Sequence, residues 1–203
     1  MTLLRYTLLS DGSSDAALMP IIEWLISEHR SDLAVLGQAA DHLLTNDRSL
    51  RSRIPAALAK YPCDVLFVHR DAEGQAMAVR HQESVAASIG LATTAIPVIP
   101  VRMTEAWLLS DETAIRSAAE NRNGRVMLNI PPKNRWETLP DPKRILFDLL
   151  EVASSKKGRA LDKFSPYKQR ALVTQWTNGF SGLRGLPSFD FFEAQLVKIL
   201  KDF

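Results

Sequence analysis

The sequence is poor in cysteine: Cys63 stands alone among 203 residues. A single thiol excludes an intrachain disulfide framework and a Cys/His zinc pattern. It fits a reducing, cytoplasmic setting. Long apolar runs are missing too. None approaches the roughly 18 residues that a membrane-spanning helix needs, so no membrane partner is expected. Met1 to Arg5 leads into a short apolar run without a cleavage pattern, so no signal peptide is read there. A phosphate-cradling glycine loop is absent, because Gly182-Leu183-Arg184-Gly185 is too short for one. No Gly-x-Ser-x-Gly nucleophile motif occurs. Neither internal repeats nor low-complexity segments stand out.

What is present suits a folded globular chain. Hydrophobic residues make up 46% and charged residues 24%, enough apolar content for a real core. The net charge of +2 hides an asymmetry. Residues 1–112 carry −5 and residues 113–203 carry +7. An acidic first half suits a metal-binding core, and a basic second half suits an anion-binding surface; a solvated helical surface is the plain alternative.

Element signals alternate along the first half. Leu3–Leu9 reads as a strand, and Asp15–Glu28 as a helix with an apolar stripe from Ala17 to Ile26. Leu33–Leu36 reads as a short strand ending at Gly37. Ser49–Lys60 reads as a helix stopped by Pro62. Asp64–His69 is the strongest strand signal. Gln75–Ile89 reads as a helix closed by Gly90, Ile96–Val101 as a proline-bearing edge strand, and Thr104–Ala119 as a helix. Alternation of this kind predicts an α/β fold with a mostly parallel four-stranded sheet flanked by helices. Residues 1–119 would form that core. Residues 120–203 would form a basic, mainly helical C-terminal elaboration, with amphipathic helices over Pro142–Ser154 and Asp190–Leu200.

Acids gather where the predicted strands end. Asp11 and Asp15 follow the first strand, Asp71 and Glu73 the third, and Glu105 the last. In parallel sheets, the carboxyl ends of strands are where ligands bind. Oxygen donors from several strand ends suit Mg²⁺ or Mn²⁺, which take one or two carboxylates plus waters and substrate phosphates. Such an ion activates water or stabilises a leaving oxygen. Taken singly, each loop aspartate has an ordinary alternative as a helix cap, as Asp15 illustrates.

These motifs carry a resemblance. Ser10-Asp11-Gly12-Ser13-Ser14-Asp15 after a strand resembles the first motif of TOPRIM domains. Phe67-Val68-His69-Arg70-Asp71-Ala72-Glu73-Gly74 resembles their acid-x-acid motif. Arg102-Met103-Thr104-Glu105-Ala106-Trp107-Leu108-Leu109 is similar to a glutamate-alanine-tryptophan-leucine signature of a TOPRIM-like bacterial family of unknown function, related to overcoming-lysogenization-defect nucleases. The resemblance covers roughly residues 3–112. It implies a Mg²⁺- or Mn²⁺-dependent phosphoryl-transfer enzyme, most simply a nuclease, with Asp11, Asp71 and Glu105 catalytic. Asp11, Asp15, Asp71, Glu73 and Glu105 would be metal ligands. Two departures from the family pattern stand out: Asp11 replaces the usual glutamate, and Glu73 replaces the second aspartate. They motivate an alternative, an inactive TOPRIM-like sensor or partner-binding module of a bacterial defence system, working with an ATPase partner.

Other residues have two readings each. His69 is a proton shuttle or metal ligand, or a core histidine. Arg70 and Arg102 grip a phosphate or neutralise the acids. Trp24 and Trp107 belong to the core. Lys156, Lys157, Arg159, Lys163 and Lys168, with Phe164 and Tyr167 among them, suit a nucleic-acid backbone. A homodimer is expected from the prevalence of twofold assemblies.

Overall fold

The computed structural model of the chain describes residues 2–43, 45, 47–72 and 76–203, without the side chains of Ser13 and Ser14. Four strands form one all-parallel sheet: β1 (Thr2–Leu9), β2 (Leu33–Ala39), β3 (Val65–His69) and β4 (Thr94–Val98), in the order β2-β1-β3-β4. Helices flank it, so the chain is an α/β fold with a helical C-terminal half. β4 takes an edge, the place that Pro97 demands because it has no N–H to give to a further neighbour.

Strand alternation divides the core between two faces. Leu4, Tyr6, Leu8, Val65, Phe67, Ile96 and Val98 join the larger cluster. α1 (Met19–His29) covers that face with Ile21, Ile22, Leu25 and Ile26. Leu9, Leu66 and Val68 join the smaller cluster with Leu50, Ile54 and Ala57 of α2 (Leu50–Lys60). α3 (Met77–Ser88) packs beside α2. Gly37 lies inside β2 because the Tyr6 ring crosses it: a Cβ there would stand 2.2 Å from Tyr6 Cζ. The Tyr6 hydroxyl in turn donates to Glu23 Oε1 at 2.9 Å.

The second half comprises α4 (Glu112–Ala118), α5 (Pro142–Ser154), the short α6 (Arg159–Asp162), α7 (Pro166–Trp176) and α8 (Pro187–Leu200). Its apolar faces enter the same cluster as the sheet, through Leu146, Leu150, Val173, Phe189, Phe192 and Leu196. Trp107 is buried there, edge-on to Phe189 at 5.4 Å, and its Nε1 donates to Ser188 Oγ at 3.2 Å. Trp24 lies half-buried against Phe180 at 5.9 Å.

Several boundaries differ from the sequence expectation. The helix expected from Asp15 begins as a 3₁₀ segment over Ser13–Leu18 and becomes α-helical only at Met19. Pro20 then sits in the first α-helical turn, where its missing N–H costs nothing. The helix expected over Thr104–Ala119 is a 3₁₀ segment, Thr104–Ser110, followed by α4. Asp111 separates them, because its carboxylate accepts from Ala114 N at 3.0 Å and caps α4. β2 runs through Gly37 to Ala39, and β4 starts two residues and ends three residues earlier than expected. No helix among the described residues is long and apolar enough to cross a membrane.

Candidate functional site

The carboxyl ends of β1, β3 and β4 deliver three loops to one edge of the sheet. After β1, Ser10 Oγ donates to Gly12 O at 3.0 Å, and Gly12 N donates to Asp15 Oδ2 at 3.1 Å. This local lattice turns the chain and fixes the Asp15 carboxylate. After β3, alternation carries His69 onto the face of Val65 and Phe67. After β4, Arg102 adopts a left-handed backbone at φ 74°, an uncommon conformation for a non-glycine residue. Glu105 follows in the next turn, 4% exposed.

The acids separate into three settings. Asp11 is half-exposed and lies between two guanidiniums: Arg53 Nη1 donates to its Oδ1, and Arg70 Nε stands 3.2 Å from its Oδ2. Arg53 also donates to the Ser10 carbonyl, tying α2 to the end of β1. Asp15 and Asp71 flank His69. From His69 Nε2, Asp71 Oδ1 is 3.6 Å and Asp15 Oδ2 is 3.8 Å away. Glu105 meets Arg170 of α7 in a buried ion pair. Glu73 lies outside the described residues.

His69 is 2% exposed. Its Nδ1 is 3.0 Å from Val98 O, and its Nε2 is 3.5 Å from Thr104 Oγ1. Burial pushes the imidazole below its ordinary range, outweighing the opposing pull of Asp15, the Val98 carbonyl, Asp11 and Glu105.

Beside this cluster an open cleft of about 660 Å³ runs between the ends of β1 and β2 and the start of α2. Asp11, Asp47, Arg48, Arg53 and Arg70 line it. Its position, at carboxyl strand ends beside the central β1, is where open α/β sheets bind ligands. Arg70 thus belongs both to the acid cluster and to the cleft.

The donor chemistry suits a hard divalent ion, since Asp15 and Asp71 bring carboxylate oxygens to one place. Among the described residues, no three His, Cys, Asp or Glu side chains are drawn tightly enough together to form a ready-made cage.

The basic residues lie on the second half. Lys157, Arg159, Lys163 and Lys168 are exposed. Lys156 is half-buried, paired with Glu120 Oε2 at 2.6 Å and lying 5.6 Å from the centre of the Phe164 ring. Tyr167 is exposed, with Lys143 Nζ 5.8 Å from its ring centre. Arg170 shares α7 with Tyr167 and Lys168 but points inward to Glu105.

Sequence reasoning did not single out Arg53, Thr104 or Arg170 as site residues. Arg170 is 65 positions from Glu105 and Arg53 is 42 from Asp11, so no local spacing signals either pairing. Comparison with family models, curated proteins and solved structures found no match.

Proposed function

We propose that this chain is a divalent-metal-dependent phosphoryl-transfer enzyme of TOPRIM-like type, a nuclease using its basic second half to hold nucleic acid. One observation carries the reading: Asp15 and Asp71, from the ends of adjacent strands, converge beside an arginine-lined cleft.

In this reading Asp15 and Asp71 hold Mg²⁺ or Mn²⁺. The ion, when bound, supplies charge neutralisation at a phosphoryl group and lowers the pKa of a coordinated water. Arg70 presents its terminal N–H donors to a phosphate oxygen, the planar fork being suited to bidentate contact. Asp11 aligns Arg70 with Arg53, since both contact its carboxylate. Arg170 neutralises Glu105, so that a third acid in the site does not repel the phosphate. Lys157, Arg159, Lys163 and Lys168 track the backbone of a strand, with Tyr167 as a stacking surface.

The test is hydrolysis of labelled single- and double-stranded DNA and RNA with Mg²⁺ or Mn²⁺, comparing the wild type with Asp71→Asn. Loss of at least about a hundredfold in a folded variant supports the assignment. Equal cleavage by both proteins rejects it.

A second reading has its own support. Asp11 and Glu105 already have guanidinium partners, so two of the acids need no metal. That pattern suits an inactive sensor or partner-binding module acting beside an ATPase. It predicts that no substrate is cleaved and that no divalent ion binds.

A further inference from the structure

We infer that two adjoining arginine-lined clefts, on either side of the first turn of α2, hold successive phosphates of a nucleic-acid strand, so that the strand crosses the acidic half of the chain as well as the basic one. The inference rests on the preceding reading only in taking nucleic acid as the ligand; it needs neither a metal ion nor cleavage.

The first argument is where the cations go. Residues 1–112 hold nine Lys and Arg. Five of them, Arg48, Arg51, Arg53, Arg70 and Arg80, line two clefts. One is the cleft of about 660 Å³ at the ends of β1 and β2. The other, of about 360 Å³, lies between the start of α2 and α3. Like charges repel at close range, so gathering five of them in an otherwise acidic half favours an anionic partner.

The second argument is which of these charges are already answered. Arg53 and Arg70 hold Asp11, and Arg80 Nη1 stands 3.0 Å from Glu83 Oε2. The Ser49 and Ser52 hydroxyls hold Asp47. Asp41, exposed after β2, is the one further acid in the lining. Arg48 and Arg51 are exposed, and among the described residues they make no ion pair. Each offers a planar fork of donors that fits a phosphate bidentately.

The third argument is continuity. Arg48 precedes the capping Ser49 and lines the first cleft, whereas Arg51, in the first turn, lines the second. Arg70, just after β3, lines both. The clefts therefore meet at one guanidinium. A ligand with phosphates in series passes from one to the other over the start of α2.

The fourth argument fixes the ligand class. Among the described residues, no Phe, Tyr or Trp lines either cleft. A pocket for a free nucleotide needs an apolar or aromatic wall for its base. Here the side chains address phosphate, and such contacts position a nucleic-acid backbone without reading its sequence.

The experiment is fluorescence anisotropy of a labelled oligonucleotide with the full chain, in chelator, at increasing KCl. In Arg48→Gln/Arg51→Gln, affinity should fall at least about tenfold at low salt, and the log–log salt slope should drop by about one unit for each arginine. Lys198→Gln/Lys201→Gln removes the same charge from exposed positions at and just past the last turn of α8. That end of α8 lies at the opposite edge of the sheet, where Arg30, three residues before β2, donates to Leu200 O at 2.7 Å. The lysine variant should bind as the wild type does. If the double arginine variant does not fold, Arg51→Gln alone decides, with half the change in slope. Unchanged affinity and slope in the arginine variant, beside a loss in Lys157→Glu/Lys163→Glu, overturns the inference and leaves the nuclease reading intact. ATP that displaces the strand at matched phosphate concentration makes the ligand a free nucleotide and also overturns it. A wild type that binds no oligonucleotide, in chelator or in Mg²⁺, overturns both.

Discussion

At the scale of single residues, Arg170 and Glu105 link the two halves of the chain. Both side chains are less than a tenth exposed, so removing one strands a charge in the interior. Arg170→Met should cost about 3–5 kcal/mol, measured by urea unfolding. Adding Glu105→Leu should recover much of that loss, because the stranded charge is then gone. A single-variant cost below about 1 kcal/mol would show that the pair is not electrostatically isolated. The pairing also marks the limit of what the residues disclosed in sequence. Glu105 was recognisable from its motif and its place after the last strand. Its partner was one arginine in a basic stretch, and nothing local distinguishes Arg170 from Lys168 until α7 turns one inward and the other outward. His69 stood between two readings for a similar reason. Alternation placed it on the inner face, but the carbonyl that orients it belongs to β4, 29 positions away.

Elements show why some boundaries were readable. Short apolar runs bounded by turn chemistry located β1 and β3 closely, because a buried parallel strand requires such a run. The sequence pattern ends β2 at Gly37, yet that glycine is an interior residue making room for Tyr6. The helix expected from Thr104 divides because Asp111 competes as a cap, and a cap is stronger than periodicity across one turn. At the start of α2, Ser49 Oγ donates to Asp47 at 2.6 Å and Ser52 Oγ does so at 2.5 Å. These two hydroxyls, with the Ser49 backbone N–H, hold the Asp47 carboxyl down to about 2. The folded value lies below the unfolded aspartate value of about 3.9. Asp47 therefore stabilises α2 above about pH 4, and this contribution disappears as pH falls through about 2. Melting temperature followed from pH 5 to pH 2 should fall less steeply in Asp47→Asn than in the wild type. Parallel curves would show that these hydrogen bonds to Asp47 are not formed in solution.

At the scale of the whole molecule, the charge asymmetry acquires a location. Asp11, Asp15, Asp71 and Glu105 of the first half lie at the carboxyl edge of the sheet, while Lys157, Arg159, Lys163 and Lys168 are exposed on α6, α7 and the segments beside them. One buried cation, Arg170, crosses from the basic half into the acidic one. If the exposed cations hold a nucleic-acid backbone, replacing Lys157 and Lys163 by glutamate should weaken binding to oligonucleotides of any sequence. It should also lower the salt dependence by about one unit of log–log slope for each lysine. Fluorescence anisotropy at increasing KCl measures both, and unchanged binding would remove these residues from the interface. The α/β architecture was legible from alternating periods. The sharing of one apolar cluster by the sheet and the C-terminal helices was not, because it depends on tertiary packing between segments more than a hundred residues apart.

The central claim is that a divalent cation is held by Asp15 and Asp71. Thermal melts of the wild type and Asp71→Ala, each with Mg²⁺, Mn²⁺ or chelator, test it most directly. A metal-dependent rise in melting temperature in the wild type, absent from the variant, is the predicted result, since a ligand that binds only the folded state stabilises it. Superimposable wild-type curves with millimolar metal and with chelator would contradict the claim.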